Sequence, residues 1–160
     1  MEKRKFGADG EWWVVAQAVL GAVLILAPFI LPTPVAWPGA VRIIVLALGI
    51  ILGGIAIFLA GGGIFALGNN LRAVPRPKEN GQLIQTGIYG LVRHPIYSGI
   101  IIGAVAWALL THSLAALIMA IVLFAFFDQK SRREEVWLAE RYADYPAYRL
   151  RVHKLIPFIY

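Results

Sequence analysis

Apolar residues gather into four long runs separated by short polar or proline-rich stretches, a pattern of continuous blocks rather than of alternation. The first block, Trp12 to Leu31, would span roughly the ~30 Å hydrocarbon layer of a bilayer as a helix rising about 1.5 Å per residue. Pro32, Pro34 and Pro38 end it, because proline cannot donate to a helical ladder and restricts the residue before it. A second block runs from about Arg42 to Leu67, with Gly49 and Gly53 in G-x-x-x-G spacing and Gly61, Gly62 and Gly63 near its end. Glycines so spaced permit close helix contact, and equally serve ordinary packing or flexibility. The third and fourth blocks, Pro95 to Leu110 and Ser113 to Phe127, are separated only by Thr111 and His112 and so predict an antiparallel hairpin. Each is short for a full span, which leaves extension into flanking residues, a thinner bilayer or partial re-entry as ways to fit. The pattern predicts an all-α, polytopic integral membrane protein of about four transmembrane helices. Residues 1–68 form an N-terminal helix pair; residues 69–160 hold a polar loop, the hairpin and a cytoplasmic tail.

Composition agrees with lipid as the main solvent: 59% of the 160 residues are hydrophobic and 15% charged, with a mean hydropathy of +0.71. Lys3, Arg4 and Lys5 ahead of the first block imitate a signal peptide. The block is too long for such a segment and no A-x-A-like cleavage site follows, so a retained helix is expected. The formal charge of +6 does not indicate nucleic acid, because the basic residues crowd the segments between apolar blocks. With four spans, three, four and seven Lys or Arg residues fall in the N-terminal segment, the 69–94 loop and the tail, leaving only Arg42 on the other side. The positive-inside rule then places both termini in the cytoplasm. The absence of cysteine excludes disulfides, thiolate nucleophiles and thiolate metal sites. His94, His112 and His153 lack metal-ligand spacing, and no metal is expected. Oligomeric state is not legible.

Chemistry concentrates in the second half. Residues 69–94 form a turn-rich loop with Pro75, Pro77, Asn80-Gly81 and Thr86-Gly87, of a length that is usually functional. At its end Arg93-His94 stands at the mouth of the third helix, where Pro95 is suited to the first turn and leaves free N–H groups for an anion. About forty residues on come Arg132-Arg133-Glu134-Glu135, which the hairpin returns to the same face. A site with both signs of charge suits S-adenosylmethionine, which carries a carboxylate, an ammonium, ribose hydroxyls and a sulfonium. No Gly-rich turn after a strand supports a Rossmann cofactor site.

Taken together, Arg93-His94-Pro95-Ile96-Tyr97-Ser98-Gly99, the hairpin, Glu134-Glu135 and Tyr148-Arg149-Leu150-Arg151-Val152 before Pro157 resemble the isoprenylcysteine carboxyl methyltransferase family and its phospholipid methyltransferase relatives. The resemblance covers roughly Gln82 to Pro157. It implies an S-adenosylmethionine site made by Arg93, His94, Tyr97, Glu134 and Glu135, with Tyr148 and Arg151 as catalytic or substrate residues on the acceptor side. Eukaryotic members carry additional N-terminal helices, which bears on whether a large prenylated protein is the acceptor. The resemblance implies a lipophilic acceptor: an isoprenylcysteine-like carboxylate, a phospholipid amine or a small thiol.

Sterol reductases, which use NADPH, share a similar hairpin and an ending like Pro157-Phe158-Ile159-Tyr160. They resemble R-H-x-N-Y and R-D where this chain has Pro95-Ile96-Tyr97 and Glu134-Glu135, which favours methyl transfer. A non-enzymatic membrane scaffold is the third class. Plainer roles exist for several residues: Arg93-His94 as a headgroup anchor, Ser131 to Glu134 as an S-x-x-E capping box, Trp137, Tyr142, Tyr145 and Tyr148 as an interfacial aromatic belt, and Gly99 with Gly103 for helix packing.

Overall fold

The computed structural model describes residues 7–78 and 80–160; Lys3, Arg4 and Lys5 of the charge asymmetry lie outside the described residues. The described helices are α1 (Glu11–Ile30), α2 (Gly39–Leu67), α3 (Pro95–Leu110), α4 (Leu114–Arg141) and α5 (Tyr145–Arg151), with 3-10 turns at Gly68–Asn70 and Gly87–Gly90. Among the described residues there is no strand, only an isolated bridge between Pro34 and Ser113. Helices α1, α2 and α4 are each long and apolar enough to cross a membrane. Helix α3 has 16 residues, roughly 24 Å at 1.5 Å per residue, and falls about a turn short of the hydrocarbon layer. The chain is an all-helical, polytopic integral membrane protein.

Helix α4 differs most from its sequence expectation. It continues past Phe127 to Arg141, because the residues that follow are good helix formers with no glycine or proline among them. Asp128 to Arg141 is therefore helix rather than tail. Ser131 lies inside it and donates to the Asp128 carbonyl at 2.9 Å, so it caps nothing and the capping-box reading of Ser131 to Glu134 is corrected. The cap is Ser113, whose Oγ accepts from Ala116 N at 3.2 Å, as an N-cap serine does.

Helix α2 packs along α3, α3 along α4, and α4 along α1. The α3–α4 hairpin is thus central, with α1 and α2 on opposite flanks, so the two halves of the sequence interleave in space. Small residues make this close packing possible. A Cβ on Gly99 would lie 2.7 Å from the Ala56 carbonyl oxygen and from Ala60 N, which explains a glycine where α3 crosses α2. Of the other pair, only Gly49 is tight, its Cβ position lying 3.0 Å from Leu110; Gly53 meets open space. The α1–α2 connection is stitched to the hairpin turn by Val35 N to His112 O at 2.7 Å and Leu114 N to Thr33 O at 3.1 Å. Large apolar side chains such as Ile57, Phe58 and Phe65 on α2 and Ile118 and Ile121 on α4 remain exposed, as lipid-facing surfaces do.

Candidate active site

At the end of the hairpin away from the Thr111–Ser113 turn, the start of α3 and the last turns of α4 stand side by side. Glu135 Oε1 accepts from Arg93 Nε at 2.8 Å and lies 3.2 Å from His94 Nε2. An ionised carboxylate only accepts, so His94 donates Nε2–H to it, while Nδ1 lies 3.9 Å from Glu134 Oε2. Tyr97 OH donates to Glu134 Oε2 at 2.7 Å, and the Tyr97 ring stacks on His94 with centroids 5.4 Å apart. The motif residues from the two helices therefore form one bonded cluster. Spacing explains it: His94 and Tyr97 lie three residues apart and share a face of the first turn, while the adjacent glutamates point to different neighbours.

The two glutamates have different surroundings. Glu134 lines a cavity of about 330 Å³, within the ~300–1,000 Å³ range of small-molecule sites. Arg93, His94, Tyr97 and Tyr148 also line it, whereas Glu135 and Arg151 do not. Glu135 sits behind the wall, its side chain 7% exposed, and Arg93 is held further by the carbonyls of Arg149 and Val152. Arg93 and Glu135 form a buried ion pair that organises the wall. Arg151 is exposed, with Nη2 donating to Gln85 Oε1 at 2.9 Å, and so ties α5 to the loop.

The backbone carries the positioning further. Arg93 N donates to His153 O at 2.8 Å and His94 N to Lys154 O at 3.1 Å, so the two N–H groups ahead of Pro95 are already bonded. Ser98 Oγ reaches Leu155 O at 2.6 Å. The segment after α5 is in turn pinned to α4 by a partly buried Lys154–Asp128 ion pair, with Tyr160 OH donating to Asp128 Oδ1 at 2.8 Å.

Several wall residues were not singled out by sequence. Lys130 is 1% exposed, donates to Gln17 Oε1 at 2.6 Å and lies 4.9 Å from the Tyr97 ring centroid. Both line the cavity. Gln17 carried a signal: it is the lone polar side chain between Trp12 and Leu31, and polar groups inside apolar spans mark functional sites. Of the aromatic-belt residues, Tyr142, Tyr145 and Tyr148 line the cavity, while Trp137 lies under the Arg133 guanidinium at 4.7 Å. Tyr148 OH donates to Tyr89 O at 2.6 Å. Burial pushes the Tyr148, Tyr145 and Tyr89 hydroxyls above their ordinary range, so they stay neutral donors and none can serve as a base near neutral pH. Tyr145 is 1% exposed, yet its hydroxyl has no hydrogen-bond partner. A buried hydroxyl without a partner costs free energy, and on a cavity wall it is suited to a ligand.

Comparison with known proteins places this arrangement in a class. The phospholipid methyltransferase family model matches residues 44–145, and the chain belongs to that family. A probable protein-S-isoprenylcysteine O-methyltransferase of Oryza sativa subsp. japonica is 36% identical over 84 residues, 51% of this chain and 44% of the relative. The Schizosaccharomyces pombe protein-S-isoprenylcysteine O-methyltransferase is 39% identical over 79 residues, 48% of this chain and 34% of the relative. The chain thus spans less than half the length of these curated relatives. The solved eukaryotic intramembrane Ras methyltransferase, isoprenylcysteine carboxyl methyltransferase, matches the fold with a TM-score of 0.65 at 19% identity, covering 94% of this chain and 53% of that one.

Proposed function

We propose that the protein is an S-adenosylmethionine-dependent methyltransferase of a lipophilic acceptor, with the cavity between α1, the 70–84 loop, α3 and α4 as its site. The observation that carries this reading is a single cavity lined by both signs of charge, Glu134 and Lys130, plus a buried Tyr145 hydroxyl left without a partner. Those groups fit the donor. Glu134 and Tyr97 suit its ammonium or ribose hydroxyls, Lys130 a carboxylate, and the Tyr97, Tyr142 and Tyr145 rings a sulfonium or an adenine. When bound, S-adenosylmethionine supplies the methyl group on a sulfonium.

What the chain's own residues do follows from in-line transfer, which needs alignment and dryness more than covalent help. The Arg93–Glu135 pair fixes the first turn of α3, so that His94 and Tyr97 present fixed faces. Lys130 is a buried cation in the same cavity as Ile64, Leu67 and Val14; held there, the donor's carboxylate would leave an apolar lining for an acceptor's hydrocarbon tail. If the acceptor is a carboxylate, charge is neutralised during transfer, and a low dielectric favours that step. If it is an amine, Glu134 is the carboxylate on the wall that can take the proton.

The donor assignment is tested by calorimetry on the detergent-solubilised protein. Saturable binding of S-adenosylmethionine and its demethylated product is expected, without a response to NADPH. Saturation by NADPH alone would transfer the protein to the reductase class. Orientation is tested in the Cys-free background, with cysteines placed at Thr33, Gln82, Thr111 and Ala147. External labelling is expected only at Thr33 and Thr111, with both termini cytoplasmic; external labelling at Gln82 would reverse the topology.

A further inference from the structure

Residues 155–160 do not behave as a water-exposed tail. Leu155, 1% exposed, belongs to the same core cluster as Ile101, Leu123 and Phe127, with Ile156 packed against it. The Tyr160 ring lies 6.2 Å from that of Phe124. Phe124 is one turn before Asp128, the first charged residue of α4, so it lies about 6 Å further into the apolar part of that helix. The segment therefore folds back to the depth of the apolar hairpin, beyond the level of the polar site.

Its backbone is built for such a place. Leu155 N and Ile156 N both donate to the Tyr160 main-chain oxygen at 2.7 Å, and Ile159 N and Tyr160 N both donate to Ile156 O, at 3.1 and 3.0 Å. Pro157 has no N–H, and the Leu155 carbonyl accepts from Ser98 Oγ. Four of the five available N–H groups are thus satisfied within a closed turn, the Phe158 N–H alone staying open, which suits the edge of a bilayer rather than its hydrocarbon centre. The turn holds Phe158 in the left-handed region, φ 64°, a conformation bulky residues avoid. Phe158 and Ile159 are nevertheless 78% and 76% exposed. The next exposed residues of α4 past Phe124 toward the hairpin turn, Val122 and Ile121, are themselves apolar.

We propose that residues 155–160 form a lipid-contact turn at the edge of the bilayer on the active-site side, with Phe158 and Ile159 in contact with phospholipid acyl chains. Lys154 and Asp128 pair just above it, which closes the polar end of the turn. His153 and Lys154, immediately before the turn, accept from Arg93 N and His94 N, so a surface seated in lipid adjoins the site wall. The inference rests on depth, exposure and backbone satisfaction, and stands whether or not the protein transfers methyl groups.

The test places a nitroxide on a cysteine at Ile159 or Phe158 in the Cys-free protein, reconstituted in phosphatidylcholine–phosphatidylglycerol vesicles. Collision rates with oxygen and with a water-soluble nickel chelate are then compared with those at Ile121 and at Asn80. Oxygen collisions should dominate at both turn positions, as at Ile121. Dominance of the nickel chelate, as at Asn80, would overturn the proposal. Because a substitution at Phe158 can loosen the turn, the unmodified protein is also photolysed in vesicles carrying a diazirine on the acyl chain. Trypsin cleavage after Lys154 releases a peptide beginning at Leu155, and lipid adducts are expected on it. Adducts on the 118–122 region but not on this peptide would also refute lipid contact.

Discussion

Replacing Glu135 by Gln should lower both the thermal stability of the protein and its affinity for S-adenosylmethionine, whereas Glu134→Gln should lower the affinity alone. Glu135 has desolvated partners: Arg93, with a side chain 9% exposed, and His94, 5% exposed. Removing one member of a buried ion pair leaves the other uncompensated, a loss of about 3–5 kcal/mol when nothing replaces it. Gln keeps one acceptor, so a smaller loss is expected, together with a donor affinity reduced roughly 10- to 150-fold for about 1.5–3 kcal/mol. Glu134 is more open, 24% exposed, and its bond to Tyr97 survives as a neutral one. Thermal melting and calorimetry on each variant separate the two. An unchanged melting point for Glu135→Gln would mean that the buried pair is not what orders the wall.

His94→Ala should abolish measurable transfer mainly by weakening donor binding, while Arg151→Ala should leave binding nearly intact and lower turnover. His94 is 6% exposed, contacts both glutamates and stacks on Tyr97. Its loss opens a gap in the wall and removes a charge-assisted hydrogen bond, again about 1.5–3 kcal/mol. Arg151 lies on the surface, and exposed polar contacts of this kind contribute about 0–1 kcal/mol. Its Gln85 contact joins α5 to the loop bordering the cavity, so its removal should act on closure or acceptor orientation. Donor affinity and single-turnover rate, measured separately, decide the matter. A donor affinity lost as severely in Arg151→Ala as in His94→Ala would assign the α5 end to the donor site.

Block length alone located the spans of α1 and α2 to within a few residues, because proline and glycine mark their ends plainly. The extent of α4 was not legible that way. Hydrophobicity stops at Phe127 while helix propensity does not, and the last turns carry Glu134 and Glu135 on polar residues that read as tail. The motif residues Arg93, His94, Tyr97, Glu134 and Glu135 do meet. It did not separate the glutamate on the cavity wall from the one behind it, since adjacent residues of a helix face about 100° apart and only the neighbours of each decide its role. Lys130 and Gln17 come together across more than a hundred residues of chain, a pairing that periodicity does not encode. The fold-back of residues 155–160 was hidden for a similar reason, because it depends on a partly buried Lys154–Asp128 pair that reads in sequence as two ordinary surface charges.

The most direct measurement is transfer of a labelled methyl group from S-adenosylmethionine by the purified protein in lipid vesicles. An isoprenylated cysteine with a free carboxylate and a phosphatidylethanolamine are offered separately as acceptors. Label should appear in a lipophilic product in proportion to enzyme, be lost with His94→Ala, and, for the carboxylate, be released by base as an ester. Donor binding without transfer to any lipophilic carboxylate, amine or thiol would contradict the assignment of this cavity as a methyltransferase site.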